Sequence, residues 1–390
     1  MSHATAWVIP NDHDRGDVLG AGVTAEEAVV DAATIADRRA ASNFRVRYRA
    51  YGLVLAVNQP VPGLRDAATT DSDPTVDIAL QNMPAELADA PAEGQPFYVS
   101  SSLTPSGAPV LVARTIRGGA FIHIGHADGK ECVIDRSGSR IWMTWPPDAR
   151  VDPYGFLLEF VLGFVLRLRG VLCLHAAGVV IGGRAVALAG PAGIGKSTFA
   201  AMLGARGHEV VTDDVSAFTS RDGTFVIQPG PARLRPRPDA IGLISRTVGT
   251  LSWNLASDGR YAEISLSQPS LTQRLEATSL GAICFLERGP AVAGARLVPL
   301  HPADALERLL GDTWGEPPAD RSMRAHEFRE VSELVAVTSS HLLQFDPAEM
   351  DPAVVCRLIE RNADRWFPRK AKAETWACTG TAPATRGRAL

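Results

Sequence analysis

From Phe44 onward the chain alternates short apolar runs with turn residues. Segments 44–57, 75–80, 97–101, 110–117, 119–124, 131–135 and 140–145 are rich in β-branched and aromatic residues, with turn signals at Asp128-Gly129, Ser137-Gly138 and Pro146-Pro147. That texture predicts antiparallel β structure. Ahead of it, residues 24–41 are Ala-rich at helical spacing, with Thr24 placed to cap and Glu26 and Glu27 in the first turn, where the helix dipole favours acids. After Pro153 the texture changes to a helix over 154–168, a strand over 172–180, a turn at Gly182-Gly183 and a strand over 184–189. A glycine-rich loop, a helix over 196–206, a turn at Gly207 and a strand over 209–212 follow. Further strands are expected at 224–228, 282–287 and 295–300, and helices at 302–310, 323–332 and 352–362. The strand-loop-helix-strand succession predicts a nucleotide-binding α/β core.

The resulting division is an extension (1–45), a mostly-β or α+β domain (46–150), an α/β P-loop domain (151–366) and a basic tail (367–390) without apolar period, expected to be disordered. Two domains suit 390 residues, because single cores stop growing at roughly 250–300. A net charge of −4 supplies no basic field, so neither nucleic acid nor a membrane surface is an expected partner. The five cysteines contain no C-x-x-C pair, which points away from zinc or a disulfide framework and toward a reducing, cytoplasmic setting. Residues 1–17 lack the apolar core of a secretory signal. The most apolar stretch, 155–168, is interrupted by Glu159 and Arg167 and falls short of the ~20 residues of a membrane helix. It reads as a buried helix.

The chemistry concentrates in Gly190-Pro191-Ala192-Gly193-Ile194-Gly195-Lys196-Ser197, a complete G-x-x-x-x-G-K-S, followed by Thr198. It follows an apolar strand and opens a helix with Phe199, Met202 and Leu203 on its apolar face. Glycines let successive amides point at phosphate, the helix N-terminus adds partial positive charge, Lys196 can reach the outer phosphates and Ser197 can ligate Mg2+. A bare Gly-rich turn is the bland alternative; the full octet in its proper context outweighs it. No asparagine is followed by Lys, so the guanine-reading N-K-x-D is absent, and L-S-G-G-Q is absent as well. Signalling GTPases and transporter ATPases are thereby disfavoured.

The strand at 209–212 ends in Asp213-Asp214, with one helix between it and the loop. In a βαβ unit parallel neighbours present their carboxyl ends on one edge, so the pair is expected to face the phosphates. One carboxylate can serve Mg2+ while the other takes a proton from an attacking hydroxyl. The order taken is Asp213 as base and Asp214, with Ser197, as metal residue, though the sequence leaves the order open. His175, in Leu174-His175-Ala176-Ala177-Gly178, reads by spacing alone as a core histidine.

Three runs in order, 174–183, 190–198 and Arg206-Gly207-His208-Glu209-Val210-Val211-Thr212-Asp213-Asp214, resemble the HPr kinase/phosphorylase family. That family carries a His before the P-loop strand and a V-x-D-D after an R-G-H turn, which implies that His175 orients or tunes the catalytic Asp. The run Gln228-Pro229-Gly230-Pro231-Ala232-Arg233-Leu234-Arg235-Pro236 is similar to a P-G-x-P-R-L-R-L segment of HPr-kinase-like proteins outside sugar regulation. Arg233 and Arg235 share a face of an extended chain and are candidates to clamp phosphate, with solvated arginines as the alternative. Arg260 resembles a basic residue of the same subgroup. Tyr51-Gly52-Leu53-Val54-Leu55 and Pro60-Val61-Pro62-Gly63-Leu64 extend the likeness over about residues 46–360. Several members of this subgroup act in ribosomal-peptide clusters, including lasso peptide kinases that phosphorylate a precursor serine. Ser197-Thr198 stands where Ser-Glu is usual, and E-x-R-G-L-G is missing, which points away from HPr itself as acceptor. The resemblance implies an ATP- and Mg2+-dependent kinase acting on a Ser/Thr hydroxyl of a peptide or protein. A small-molecule kinase and a nucleotide-binding regulator are the alternatives, and oligomeric state, homo-oligomer included, stays open.

Overall fold

The computed structural model describes residues 46–66, 73–90, 94–149, 151–256, 259–289, 295–311, 321–347 and 351–366. The helix expected at 24–41 and the tail at 367–390 lie outside the described residues. Strands β1 (Val46–Ala50) and β2 (Leu53–Val57) form a hairpin around Tyr51 and Gly52, whose φ angles of 57° and 80° suit a two-residue turn. The single strand expected at 44–57 is therefore two. With β3 (Val76–Leu80), the short α1 (Ala85–Ala88), β4 (Pro96–Val99), β5 (Leu111–Ile116), β6 (Phe121–His126), β7 (Glu131–Asp135) and β8 (Arg140–Thr144), the chain completes an eight-stranded sheet of order β1-β2-β3-β8-β7-β6-β5-β4. Strands β4 to β8 are an antiparallel meander, as their turn signals predict. Strand β3, however, pairs parallel with both β2 and β8, so the sheet is mixed rather than antiparallel.

Asp152 then starts a helical run. Its carboxylate accepts from the amides of Tyr154 and Gly155, and Pro153 takes the first position, where a missing N–H costs nothing. The run comprises α2 (Pro153–Gly155), a π-helical segment (Phe156–Val161) and α3 (Leu162–Leu168). Phe156, Leu158, Val161 and Val165 join one buried cluster with Leu55, Ile78 and Ile141 of the first sheet and with Cys173, Val215 and Ala217 beyond it. This helix is the apolar bridge between the two halves. Among the described residues no helix is long and apolar enough to cross a membrane.

The second half alternates strands and helices: β9 (Leu172–Ile181), β10 (Arg184–Ala189), α4 (Lys196–Ala205), β11 (Glu209–Thr212), β12 (Val215–Arg221), β13 (Thr224–Ile227), β14 (Arg233–Leu234) and α5 (Ile241–Val248). It continues with β15 (Asn254–Leu255), β16 (Ala262–Ser265), β17 (Thr272–Gln273), β18 (Thr278–Arg288), β19 (Arg296–Pro299), α6 (Pro302–Gly311), α7 (Arg321–Val337), β20 (Ser339–Phe345) and α8 (Pro352–Trp366). A nine-stranded mixed sheet results, beside a three-stranded one of order β14-β16-β15. Side chains of β10 alternate as a doubly covered strand requires. Val186 and Leu188 pack with Phe199 and Met202 of α4 and Ile359 of α8, while Ala185, Ala187 and Ala189 pack with Leu309 of α6 and Leu334 of α7.

Strand order departs from that of the expected βαβ unit. The P-loop strand β10 and the strand β11 are not neighbours; β9 lies between them, antiparallel to both. Because two reversals restore direction, β10 and β11 still run the same way and still end on one edge. Strands β11 and β12 follow β9 as a single ribbon, from Glu209 opposite Val180 to Phe218 opposite Leu172, interrupted at Asp213-Asp214. Since β9 runs the other way, its His175, opposite Val215 and next to Ala176 opposite Ala189, arrives at the same edge from mid-strand.

Candidate functional site

The phosphate loop leaves β10 at Gly190, whose φ of +133° belongs to glycine, and a Cβ there would stand 2.9 Å from the Leu286 carbonyl oxygen. Its tip, Gly193, and its end, Gly195, also take positive φ, 77° and 120°. Ile194 turns inward to the core and pins the loop from below. The buried Lys196 curls back over the loop, its Nζ donating to the carbonyls of Gly190 (2.6 Å) and Pro191 (3.1 Å). Ala192, Gly193, Ile194, Gly195, Lys196, Ser197 and Thr198 border one cavity of about 560 Å³, a size common for small-molecule sites. Gly190 lies beneath it and contributes its carbonyl to Lys196.

The acidic pair occupies the break in the β11–β12 ribbon. The Thr212 hydroxyl donates to the Val215 carbonyl (2.6 Å), closing the break locally. Asp213 is buried, and its carboxylate accepts from the Ser197 hydroxyl (2.9 Å) and from the Arg235 amide (2.8 Å). Burial pushes its pKa up, and those two donors oppose the rise. Asp214 sits at φ +66°, a left-handed backbone that Asp tolerates better than most residues, and so faces the other way, into the cavity. There its Oδ1 lies 3.0 Å from His175 Nδ1. Burial works to raise the Asp214 pKa, but the His175 hydrogen bond and the charges of His175, Arg235 and Lys196 prevail and hold it below the usual range. The histidine therefore stands beside Asp214, not beside Asp213 as the sequence assignment supposed. The left-handed turn of the backbone at Asp214 gives the two neighbouring carboxylates different partners, Ser197 for Asp213 and His175 for Asp214.

Below this pair lies a charged cluster. Glu159, carried by the π-helical segment, accepts from Arg233 Nη2 (2.8 Å) and forms a close bidentate contact with Arg235 Nη1. Glu263 approaches Arg233 Nη1 at 3.1 Å and Arg235 Nε at 3.6 Å, and Tyr261 stacks on the Arg235 guanidinium at 4.5 Å. Burial, then the charge of Asp214, raise the Glu159 carboxyl to about 7 against the pull of both arginines. Arg235 borders the cavity with Glu159 and Asp214. Arg233 does not; its guanidinium is taken up by Glu159 and Glu263 beneath the site, which makes it a support rather than a phosphate clamp. Arg260 stands 6.0 Å over Tyr261 and borders a second hollow of about 450 Å³ that shares Arg237, Asp239 and Tyr261 with the first.

No family model matches the sequence, and no curated protein matches it. Among solved structures the chain is similar to the Hpr(Ser) kinase/phosphatase from Coxiella burnetii, at 16% identity and a TM-score of 0.26, covering 50% of this chain and 97% of that one. The likeness is distant.

Sequence reasoning missed Glu159, Tyr261, Arg237 and Arg288. Glu159 did leave a signal: an acid inside the most apolar stretch is seldom buried without a partner. Arg237 left one too, as the third member of the alternation Arg233, Arg235, Arg237. Tyr261 and Arg288 reach the site from just before β16 and from the end of β18, whose positions no local pattern announces.

Proposed function

We propose that this chain is an ATP-dependent phosphotransferase that moves the terminal phosphate of ATP to a hydroxyl, most readily a Ser or Thr of a peptide. The observation that carries this reading is the convergence of three groups: the phosphate loop bordering the cavity, a 2.9 Å hydrogen bond from its Ser197 to the buried Asp213, and an Asp214–His175 pair at 3.0 Å that borders the same cavity. The donor chemistry of Ser197 and Asp213, both oxygen and 2.9 Å apart, fits a hard cation such as Mg2+. When bound, Mg2+ neutralises charge on the phosphate oxygens.

The Ser197–Asp213 and His175–Asp214 contacts support the order opposite to that taken from the sequence. Asp213, tied to Ser197, is the carboxylate on the metal side. Asp214, open to the cavity and oriented by His175, is the group that receives the acceptor proton. Its low pKa keeps it ionised, and a loose phosphoryl-transfer transition state asks of its base mainly position. The acceptor oxygen bonds to phosphorus as the bond to the ADP leaving oxygen breaks, and the acceptor proton passes to Asp214, next to His175. Lys196 leaves its loop carbonyls for the phosphates, to which an ammonium is the better partner. The second hollow, which shares Arg237, Asp239 and Tyr261 with the first, offers an acceptor room beside the nucleotide.

The test is transfer of label from Mg-ATP to a panel of Ser/Thr peptides and small hydroxyl compounds. Asp214→Asn is expected to lower transfer about 10²–10⁴-fold while ATP affinity is kept, and Lys196→Ala to lose nucleotide. Label on small compounds alone would remove the peptide part of the reading. Transfer undiminished in Asp214→Asn would remove the assignment of the base.

A further inference from the structure

We infer that Arg237 and Arg288 cap the tip of the phosphate loop from two sides, Arg237 to bind the donor's terminal phosphate and Arg288 to hold the loop; this rests on the phosphotransferase reading above. Arg233, Arg235 and Arg237 alternate along the stretch that runs out of β14, and the last two border the cavity. The stretch is anchored where the Arg235 amide donates to Asp213. The first two arginines are buried and in contact with Glu159 and Glu263. The third is different. Arg237 is 66% exposed, and its ion-pair partner Asp239, at 3.8 Å, is 81% exposed. Such a pair in water is worth little and exchanges readily for a better anion.

Placement points the same way. Arg237 Nη1 lies 3.9 Å from the position a Cβ on Gly193 would take, and Arg288 Nη2 donates to the Gly193 carbonyl at 2.8 Å. Both residues border the nucleotide cavity. Two guanidinium groups brought to one bare glycine repel each other, a cost repaid when a multiply charged anion enters between them. The guanidinium fork matches phosphate oxygens in pairs, which an ammonium does not. The two roles differ because the contacts differ. Arg288 is engaged with loop backbone, whereas Arg237 stands beside the loop tip with only the exposed Asp239 as its ion-pair partner and borders the same cavity as Asp214.

The experiment compares ATP and ADP binding to the full chain with magnesium, by calorimetry, so that no acceptor is needed. Arg237→Ala is expected to weaken ATP about tenfold, the size of one charge-assisted hydrogen bond, and to leave ADP unchanged; Arg237→Lys recovers part of the loss. Arg288→Ala is expected to weaken ATP and ADP alike. Folding of each variant is checked by urea unfolding, which the exposed Arg237 leaves unaltered. If Arg237→Ala keeps the unmodified preference for ATP over ADP, or weakens both nucleotides equally, the cap is overturned while the phosphotransferase reading stands. If the unmodified chain binds neither nucleotide, both fall together.

Discussion

Glu159 is an acid set among Phe156, Leu157, Leu158 and Val161, and it persists there because two arginines meet it. Burial is the larger influence on it, so its carboxyl titrates at about 7 rather than near 4.5. Between those values the folded chain holds a proton that the unfolded chain has released. Stability therefore falls as pH rises through that window. Replacing Glu159 by Gln removes this titration, and the fall in urea-unfolding free energy between about pH 5 and pH 7.5 is expected to become shallower. An equal fall in both proteins would assign it elsewhere, to Asp213 first, whose pKa is also raised by burial. Asp128 gives the opposite case. Burial alone would raise its pKa, but the hydrogen bond from buried Lys130, the Val151 amide and His126 bring it to about 2. Its share of stability is complete above the usual Asp range and is lost as pH falls toward 2. Asp128→Asn leaves the Lys130 ammonium buried without its partner, and a loss of about 3–5 kcal/mol at neutral pH is the expected result. Asp128 and Lys130 flank the Asp128-Gly129 turn that the sequence announced; the pairing of their side chains it did not.

At the scale of elements, helix α4 shows how packing overrides propensity. Gly204 lies in its last turn, and a Cβ there would meet Leu271 Cδ2 at 2.9 Å and Val210 Cγ2 at 3.0 Å. Alanine gains about 1 kcal/mol of helix propensity, whereas overpacking a filled core costs about 1–3 kcal/mol. Gly204→Ala is therefore expected to destabilise by up to about 2 kcal/mol, measured as a lower urea midpoint with unchanged slope. A gain in stability would mean that β17 and the leucine behind it yield freely. The contrast in legibility between elements has the same root. Meander strands β4 to β8 and the Gly182-Gly183 hairpin were readable because turn chemistry is local. The parallel placement of β3, between β2 and the distant β8, and the insertion of β9 between β10 and β11 were not, because strand neighbours are chosen by which apolar faces can be buried together. The π-helical segment that lifts Glu159 into the site belongs to this second kind: the 3.6-residue period predicts the helix, and only packing on both sheets reveals the extra residue in its turn.

At the scale of the whole molecule, the site gathers side chains from α4, the β11–β12 break, mid-strand β9, the π-helical segment and the stretch after β14. A ligand that bridges such dispersed elements stabilises the folded chain. Mg-ATP at about one hundred times its dissociation constant is expected to add about 2.7 kcal/mol to unfolding free energy, and Lys196→Ala to abolish the increment. An unchanged unfolding curve at saturating nucleotide would count against the cavity as a nucleotide site.

What the sequence by itself determined is the chemistry carried by contiguous residues: the phosphate loop and its glycines, the acidic pair at a strand end, and the apolar helix after Pro153. Each depends on spacing along a single segment, where periodicity and backbone freedom act directly. Tertiary structure decided which carboxylate meets His175, that Arg233 is held by Glu159 and Glu263 while Arg237 borders the cavity, and that Glu159 belongs to the site. Those outcomes depend on strand order and on the opposed directions of neighbouring side chains, which come into being only when separate segments compete to bury their apolar faces.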